Sequence, residues 1–130
     1  IKLDKKVGAI GDLNTLNSGL QTANSHIGIG HTRWATTGAV SDMNAHPHYS
    51  SDKSFCLAQN GIMENYQQIK ASLIKKGYKF ETETDTEVIV RAIEDKLKKT
   101  KDLKEAAREV FLELEGRNTI ILLTKEKPLV

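Results

Sequence analysis

The stretch from Phe55 to Thr124 constrains the fold most, because it places three successive helical patterns between two short apolar runs. The last of the three is the clearest amphipathic stripe in the chain: Leu103, Ala106, Ala107, Val110, Phe111 and Leu114 recur at one-turn spacing. The middle one is announced by Thr84-x-x-Glu87, a capping box, and its spacing predicts burial of Val88, Ile89, Ala92, Ile93 and Leu97. The first starts near Asn65, packs Tyr66, Ile69 and Leu73, and stops at Gly77. Phe55-Cys56-Leu57-Ala58 precedes them as a compact buried strand, and Thr119 to Thr124 follows Gly116 as a second apolar strand. A helix with one apolar face must bury it against another layer. The pattern therefore predicts an α+β fold with helices stacked on a sheet face.

The first half is less regular. Ile1 to Val7 reads as a strand, Asp12 to Leu20 as a helix, and His26 to Trp34 as a strand whose Gly28 and Gly30 admit a neighbouring backbone. Thr36 to Asp52 is rich in Gly, Ser, Asn, Asp and Pro and reads as a long loop, of the length that is usually functional. At 130 residues the chain holds one domain at most. It opens on Ile without Met, and its tail from Lys125 to Val130 finishes no element, so it reads as an internal piece of something longer. Nineteen basic residues against 17 acidic ones leave a net charge of +2, interspersed along the chain. Neither a nucleic-acid nor a membrane partner is expected. The densest basic stretch, Lys96 to Lys104, reads as a solvated helix–helix connection. One Cys permits no internal disulfide and fits a reducing, cytoplasmic setting.

Patches of small and polar residues interrupt the apolar segments, and such patches are where a folded chain puts a site. Arg33 stands in the first, His31 to Gly38; its guanidinium is either a fork for a carboxylate or a surface group. Asn60-Gly61 is either an oxyanion hole, from the Asn60 amide and the Gly61 N–H, or a turn dipeptide. Asp85, one residue inside the capped helix, either complements the helix dipole or holds a ligand ammonium. His31 with His46-Pro47-His48 raises metal binding, but no third and fourth ligand stand at a recognisable spacing, so hydrogen-bonding loop histidines are expected and no metal or cofactor. Cys56, between Phe55 and Leu57, reads as a core residue rather than a catalytic thiol, and Trp34 as core packing or a gate.

Taken together, Ile29 to Gly38, Asn44 to His48, Asn60 to Tyr66 and Gly77 to Val88 resemble the glutaminase domain of the glucosamine-fructose-6-phosphate aminotransferases. The resemblance runs from about Lys6 to the last residue. It implies an N-terminal-nucleophile hydrolase fold, a four-layer α-β-β-α sandwich, truncated here at both ends as a partial type 2 glutamine amidotransferase domain over residues 1–130. It also implies roles. Arg33 would hold the carboxylate of L-glutamine and Asp85 its ammonium. Asn60 and Gly61 would form the oxyanion hole, Thr36 and Thr37 would line the substrate pocket, and Trp34 would gate ammonia toward an isomerase domain for fructose 6-phosphate that is not in this sequence.

The chain departs from the family at three places. Thr37 stands where the family usually has His, as in the related amidophosphoribosyltransferases, and Gln59 replaces the usual His before Asn-Gly. The family's nucleophile is an N-terminal Cys whose α-amine is the base; Ile1 carries no nucleophilic atom. The chain alone is therefore expected not to hydrolyse glutamine by the family mechanism. Open sheet edges would also invite self-association. The alternative readings are an amidophosphoribosyltransferase-type glutaminase domain and a non-catalytic glutamine-binding or inert module.

Overall fold

The computed structural model describes residues 1–8 and 24–125. Three strands, β1 (His48–Tyr49), β2 (Phe55–Gly61) and β3 (Asn118–Thr124), form one antiparallel sheet in the order β1-β2-β3. Three helices, α1 (Tyr66–Lys75), α2 (Asp85–Thr100) and α3 (Leu103–Glu113), are inserted between β2 and β3. The α+β layering expected from the sequence is present: α2 packs against α1 and α3 and also touches β1 and β2.

β2 is the middle strand, and Phe55 to Gln59 are buried along it. Side chains alternate across a strand. Phe55 and Leu57 join the core with Met63, Val88, Ile89, Val90, Ile93, Val110 and Leu122, whereas Cys56 and Ala58 lie outside that cluster. Each large aliphatic side chain removed from water here contributes about 1.5–3 kcal/mol. Cys56 is a small side chain buried on the opposite face of β2, and burial pushes its thiol pKa up.

The N-terminus of α2 is polar yet buried from Thr84 to Glu87, and its bonds explain how. Thr84 caps the helix by accepting the Glu87 N–H at 3.3 Å. The second half of the expected capping box goes elsewhere. The Glu87 carboxylate reaches past the cap to accept the backbone N–H groups of Glu81 and Thr82, the Thr82 hydroxyl and the Arg91 guanidinium. A buried carboxylate so satisfied fixes the approach of the 81–84 segment to α2.

Several expectations are corrected. Residues 1–7 form no strand; they are tied to the loop instead, with the Lys5 ammonium donating to Met43 O at 2.7 Å and the Tyr49 hydroxyl donating to Ile1 O at 3.1 Å. His26 to Trp34 is irregular as well, and among the described residues a Cβ built on Gly28 or Gly30 would meet nothing within 4 Å, so none of their backbone approaches these glycines. A strand needs a partner to satisfy its N–H and C=O groups, and among the described residues none lies alongside. The expected loop contains β1, and Asn60-Gly61 ends β2 rather than following it. Asn65 starts α1 without a side-chain cap; its amide bridges Glu113 O and Glu115 N. Phe111, expected in the core, is 41% exposed on α3. The helix expected at Asp12–Leu20 and the end of the tail lie outside the described residues.

Candidate functional site

The N-terminus of α2, the end of β2 and the loop after His31 converge on one pocket. Its lining includes Arg33, Trp34, Thr36, Thr37, Asn60, Gly61 and Asp85, every residue to which the resemblance gives a role, together with His31, His46, Gln59 and Thr86.

Asp85 is 5% exposed at the first position of α2. Its Oδ2 accepts the Met63 N–H at 3.0 Å and the Gln59 amide at 3.4 Å, and its Oδ1 accepts the Thr86 N–H at 3.1 Å. A carboxylate offers about four acceptor positions, so one is left for a ligand. Helix-dipole complementarity therefore does not by itself exhaust this carboxylate, since one acceptor position remains open.

Arg33 lies outside any strand and folds back over its own loop. Nη1 donates to Ala39 O at 3.1 Å; Nη2 donates to Gly38 O at 3.2 Å and to Thr37 O. Three of its five donors are thereby used, leaving Nε–H and one Nη1–H. The loop is held in turn by Glu83 and Asn44. Glu83 Oε2 accepts the Ala39 N–H at 3.0 Å and the Asn44 amide at 3.2 Å, while Asn44 also donates to Ala39 O at 2.9 Å. Gly38 permits this fit: its φ is +80°, and a Cβ there would stand 2.9 Å from Glu83 Cβ. These two hydrogen-bond donors draw Glu83 below its usual pKa, the Ala39 N–H being the larger cause.

Asn60 and Gly61 are both exposed at the end of β2, opposite Thr119 and Asn118 of β3. They are in register with β3, so the turn-dipeptide reading is set aside. Trp34 is 89% exposed, which sets aside core packing for that side chain. Among the described residues, no group of three or more His, Cys, Asp or Glu is placed to hold a metal.

The histidines do make hydrogen bonds. His48 Nε2 lies 3.1 Å from the Thr84 hydroxyl and His46 Nε2 lies 2.8 Å from the Thr86 hydroxyl. The rings of His31 and His46 are 4.5 Å apart and those of His46 and His48 5.3 Å. Burial, assisted by the neighbouring His31, Arg33 and Lys5, lowers His46 to about 4. Burial, assisted by Lys5, His46, Arg33 and Arg91, lowers His48 further. In the unfolded chain both would titrate near 6.5. Between those values the unfolded chain binds more protons, so the stability these neutral rings provide is complete above about pH 6.5 and is lost as pH falls toward 4. We expect each ring to contribute a loss of about 1 kcal/mol per pH unit in that window. Urea midpoints at pH 7 and pH 5 test it; equal midpoints would show that the rings are charged in the folded chain.

The residues that sequence reasoning passed over are Thr86, Asn118 and the Met63 N–H, and it noted Gln59 only as a departure. Thr86 belongs to a patch quoted from the sequence, but only its position against β2 gives it a partner; Asn118 carried no local signal.

The chain belongs to the glutamine amidotransferase domain family, whose profile matches residues 14–108. Among curated relatives, the glutamine–fructose-6-phosphate aminotransferase (isomerizing) of Tropheryma whipplei strain Twist is 43% identical over 122 residues, covering 91% of this chain and 20% of the relative. The enzyme of the same name from Methanococcus maripaludis is 38% identical over 133 residues, covering 98% and 22%. The chain thus spans about a fifth of the length of these relatives. Among solved structures, glutamine phosphoribosylpyrophosphate amidotransferase from B. subtilis, complexed with ADP and GMP, matches with a TM-score of 0.58 at 28% identity, over 72% of this chain and 20% of that one. An allosteric regulatory enzyme of purine biosynthesis matches with a TM-score of 0.60 at 30% identity over the same shares.

Proposed function

We propose that this chain carries the glutamine-binding part of a glutaminase site, in a protein that releases ammonia from L-glutamine and transfers it to fructose 6-phosphate. One observation carries the reading: Arg33, Asp85, Asn60 and Gly61 line the same pocket. A free amino acid presents a carboxylate, an ammonium and here an amide carbonyl. Arg33 suits the first, Asp85 the second, and the Asn60 amide with the Gly61 N–H suits the oxyanion formed at the third. Thr36 and Thr37 line the pocket, and in this reading Trp34 gates the ammonia. The fold of this reading is the four-layer sandwich of the N-terminal-nucleophile hydrolases.

The nucleophile of this reading is an N-terminal Cys with its own α-amine as base. Cys56 is an unsuitable substitute, being 1% exposed in β2 with its thiol pKa raised by burial. Single domain extent, the separate isomerase domain and a cytoplasmic setting that keeps Cys56 reduced belong to the same proposal, as does self-association through the edge of β3, where Ile121 is 43% exposed.

Calorimetric titration with glutamine tests the site. Arg33→Ala should weaken binding roughly 10–100-fold, the worth of a charged hydrogen-bonded contact. Undiminished affinity would remove Arg33 from the site. A phosphoribosyl acceptor is the second reading, favoured by Thr37 and by the B. subtilis amidotransferase structure. The sequence relatives favour fructose 6-phosphate. Ammonia transfer by the full-length protein to each acceptor separates the two, and a protein that binds no glutamine would be the inert module.

A further inference from the structure

Gln59 occupies the position at which the pocket, the sheet and α2 meet. Alternation along β2 puts it on the face of Phe55 and Leu57, toward the first turn of α2, and it is 3% exposed. Its Nε2 donates to Asn118 Oδ1 at 2.7 Å and to Asp85 Oδ2 at 3.4 Å. Its Oε1 accepts the Thr86 hydroxyl at 2.6 Å.

Chemistry fixes every direction in this chain. An ionised carboxylate only accepts, so the Gln59 nitrogen, not its oxygen, faces Asp85. The Gln59 oxygen must then accept, and Thr86 gives it its one hydroxyl proton. The 2.8 Å contact between Thr86 Oγ1 and His46 Nε2 is therefore a donation from the ring, which fixes the proton of neutral His46 on Nε2. Donation runs from His46 to Thr86, to Gln59, to Asp85. A primary amide supplies two donors and an acceptor from one planar group. An imidazole has only two ring nitrogens and cannot serve Asp85, Asn118 and Thr86 together.

From this geometry we infer that Gln59 is a positioning residue for the α-ammonium of the substrate: it holds the Asp85 carboxylate in place and locks it to the ends of β2 and β3, where Asn60 and Gly61 stand. The inference rests on the glutamine-binding reading above. Gln59 does not touch the substrate in this role; it acts through Asp85 and sets how strongly the site prefers a ligand that carries an ammonium.

The test compares, on the full-length protein, calorimetric affinities for glutamine and for the analogue lacking its α-amino group. The unaltered protein should prefer glutamine. Gln59→Leu should reduce that preference about 10-fold, with glutamine weakened and the analogue nearly unchanged. Thr86→Val, which keeps the side-chain shape and removes only the hydroxyl link, should reduce it in the same direction by less, and it decides the matter should Gln59→Leu fail to fold. Retained preference in these variants, or equal weakening of both ligands, overturns the inference and leaves Gln59 a scaffold residue. An unaltered protein that binds neither compound instead overturns the glutamine-binding reading. One that binds both equally removes Asp85 from ammonium recognition, and the inference with it.

Discussion

Gly61→Ala is expected to lower the stability of this chain by about 3 kcal/mol or more, combining backbone strain with a direct clash. Gly61 has φ +135°, and an added Cβ would land on the Arg117 carbonyl oxygen while standing 3.0 Å from Asn118 Cα. Both obstacles are backbone, held by the pairing of Gly61 with Asn118 and by the Ile62 N–H donating to Arg117 O at 3.3 Å. No rotamer change relieves them. At this size the loss corresponds to a fall of roughly 10 °C in Tm. Any shift that accommodates the methyl also moves the Gly61 N–H, so glutaminase turnover of the full-length protein should fall about 100-fold or more. An unchanged melting temperature would mean that the β2–β3 junction is not packed as described.

Asp85→Asn should weaken glutamine binding more than about 100-fold, beyond the loss of one charged hydrogen bond, because the substituted amide presents a second donor to an ammonium. The same change disturbs the scaffold. Asp85 accepts donors on both oxygens, from Met63 and Gln59 on one and from Thr86 on the other. An asparagine has an acceptor for one side only, so a buried N–H faces its NH2 group, at a cost of about 1–3 kcal/mol. Titration with glutamine and urea unfolding of the same variant separate the two effects. Normal glutamine affinity in a destabilised variant would assign Asp85 to the scaffold alone.

The helices were the most legible part of the sequence because their signals are local. Thr84 precedes a helix and accepts the N–H three residues on, a bond that any chain with that spacing can make. Asp102 caps α3 in the same way, a signal that sequence reasoning passed over. Apolar spacing located α1, α2 and α3 for the same reason. It misjudged Phe111, since a stripe reports which residues share a helix face and not how far the neighbouring layer extends over it. The stretches 1–7 and 26–34 were misread for a related reason. Alternating or glycine-containing apolar runs suit a strand, but a strand exists only where another lies beside it.

Of the site, the sequence by itself determined the residue types and their order: a guanidinium, an Asn-Gly pair and a carboxylate opening a capped helix. Tertiary structure alone decided that they share one pocket, that Gly61 is required by the approach of Arg117, and that Gln59 holds Asp85. The partners of Gln59 lie 26, 27 and 59 residues away along the chain. Contacts over such separations depend on strand register and on how α2 crosses the sheet, and no periodicity within one segment encodes either.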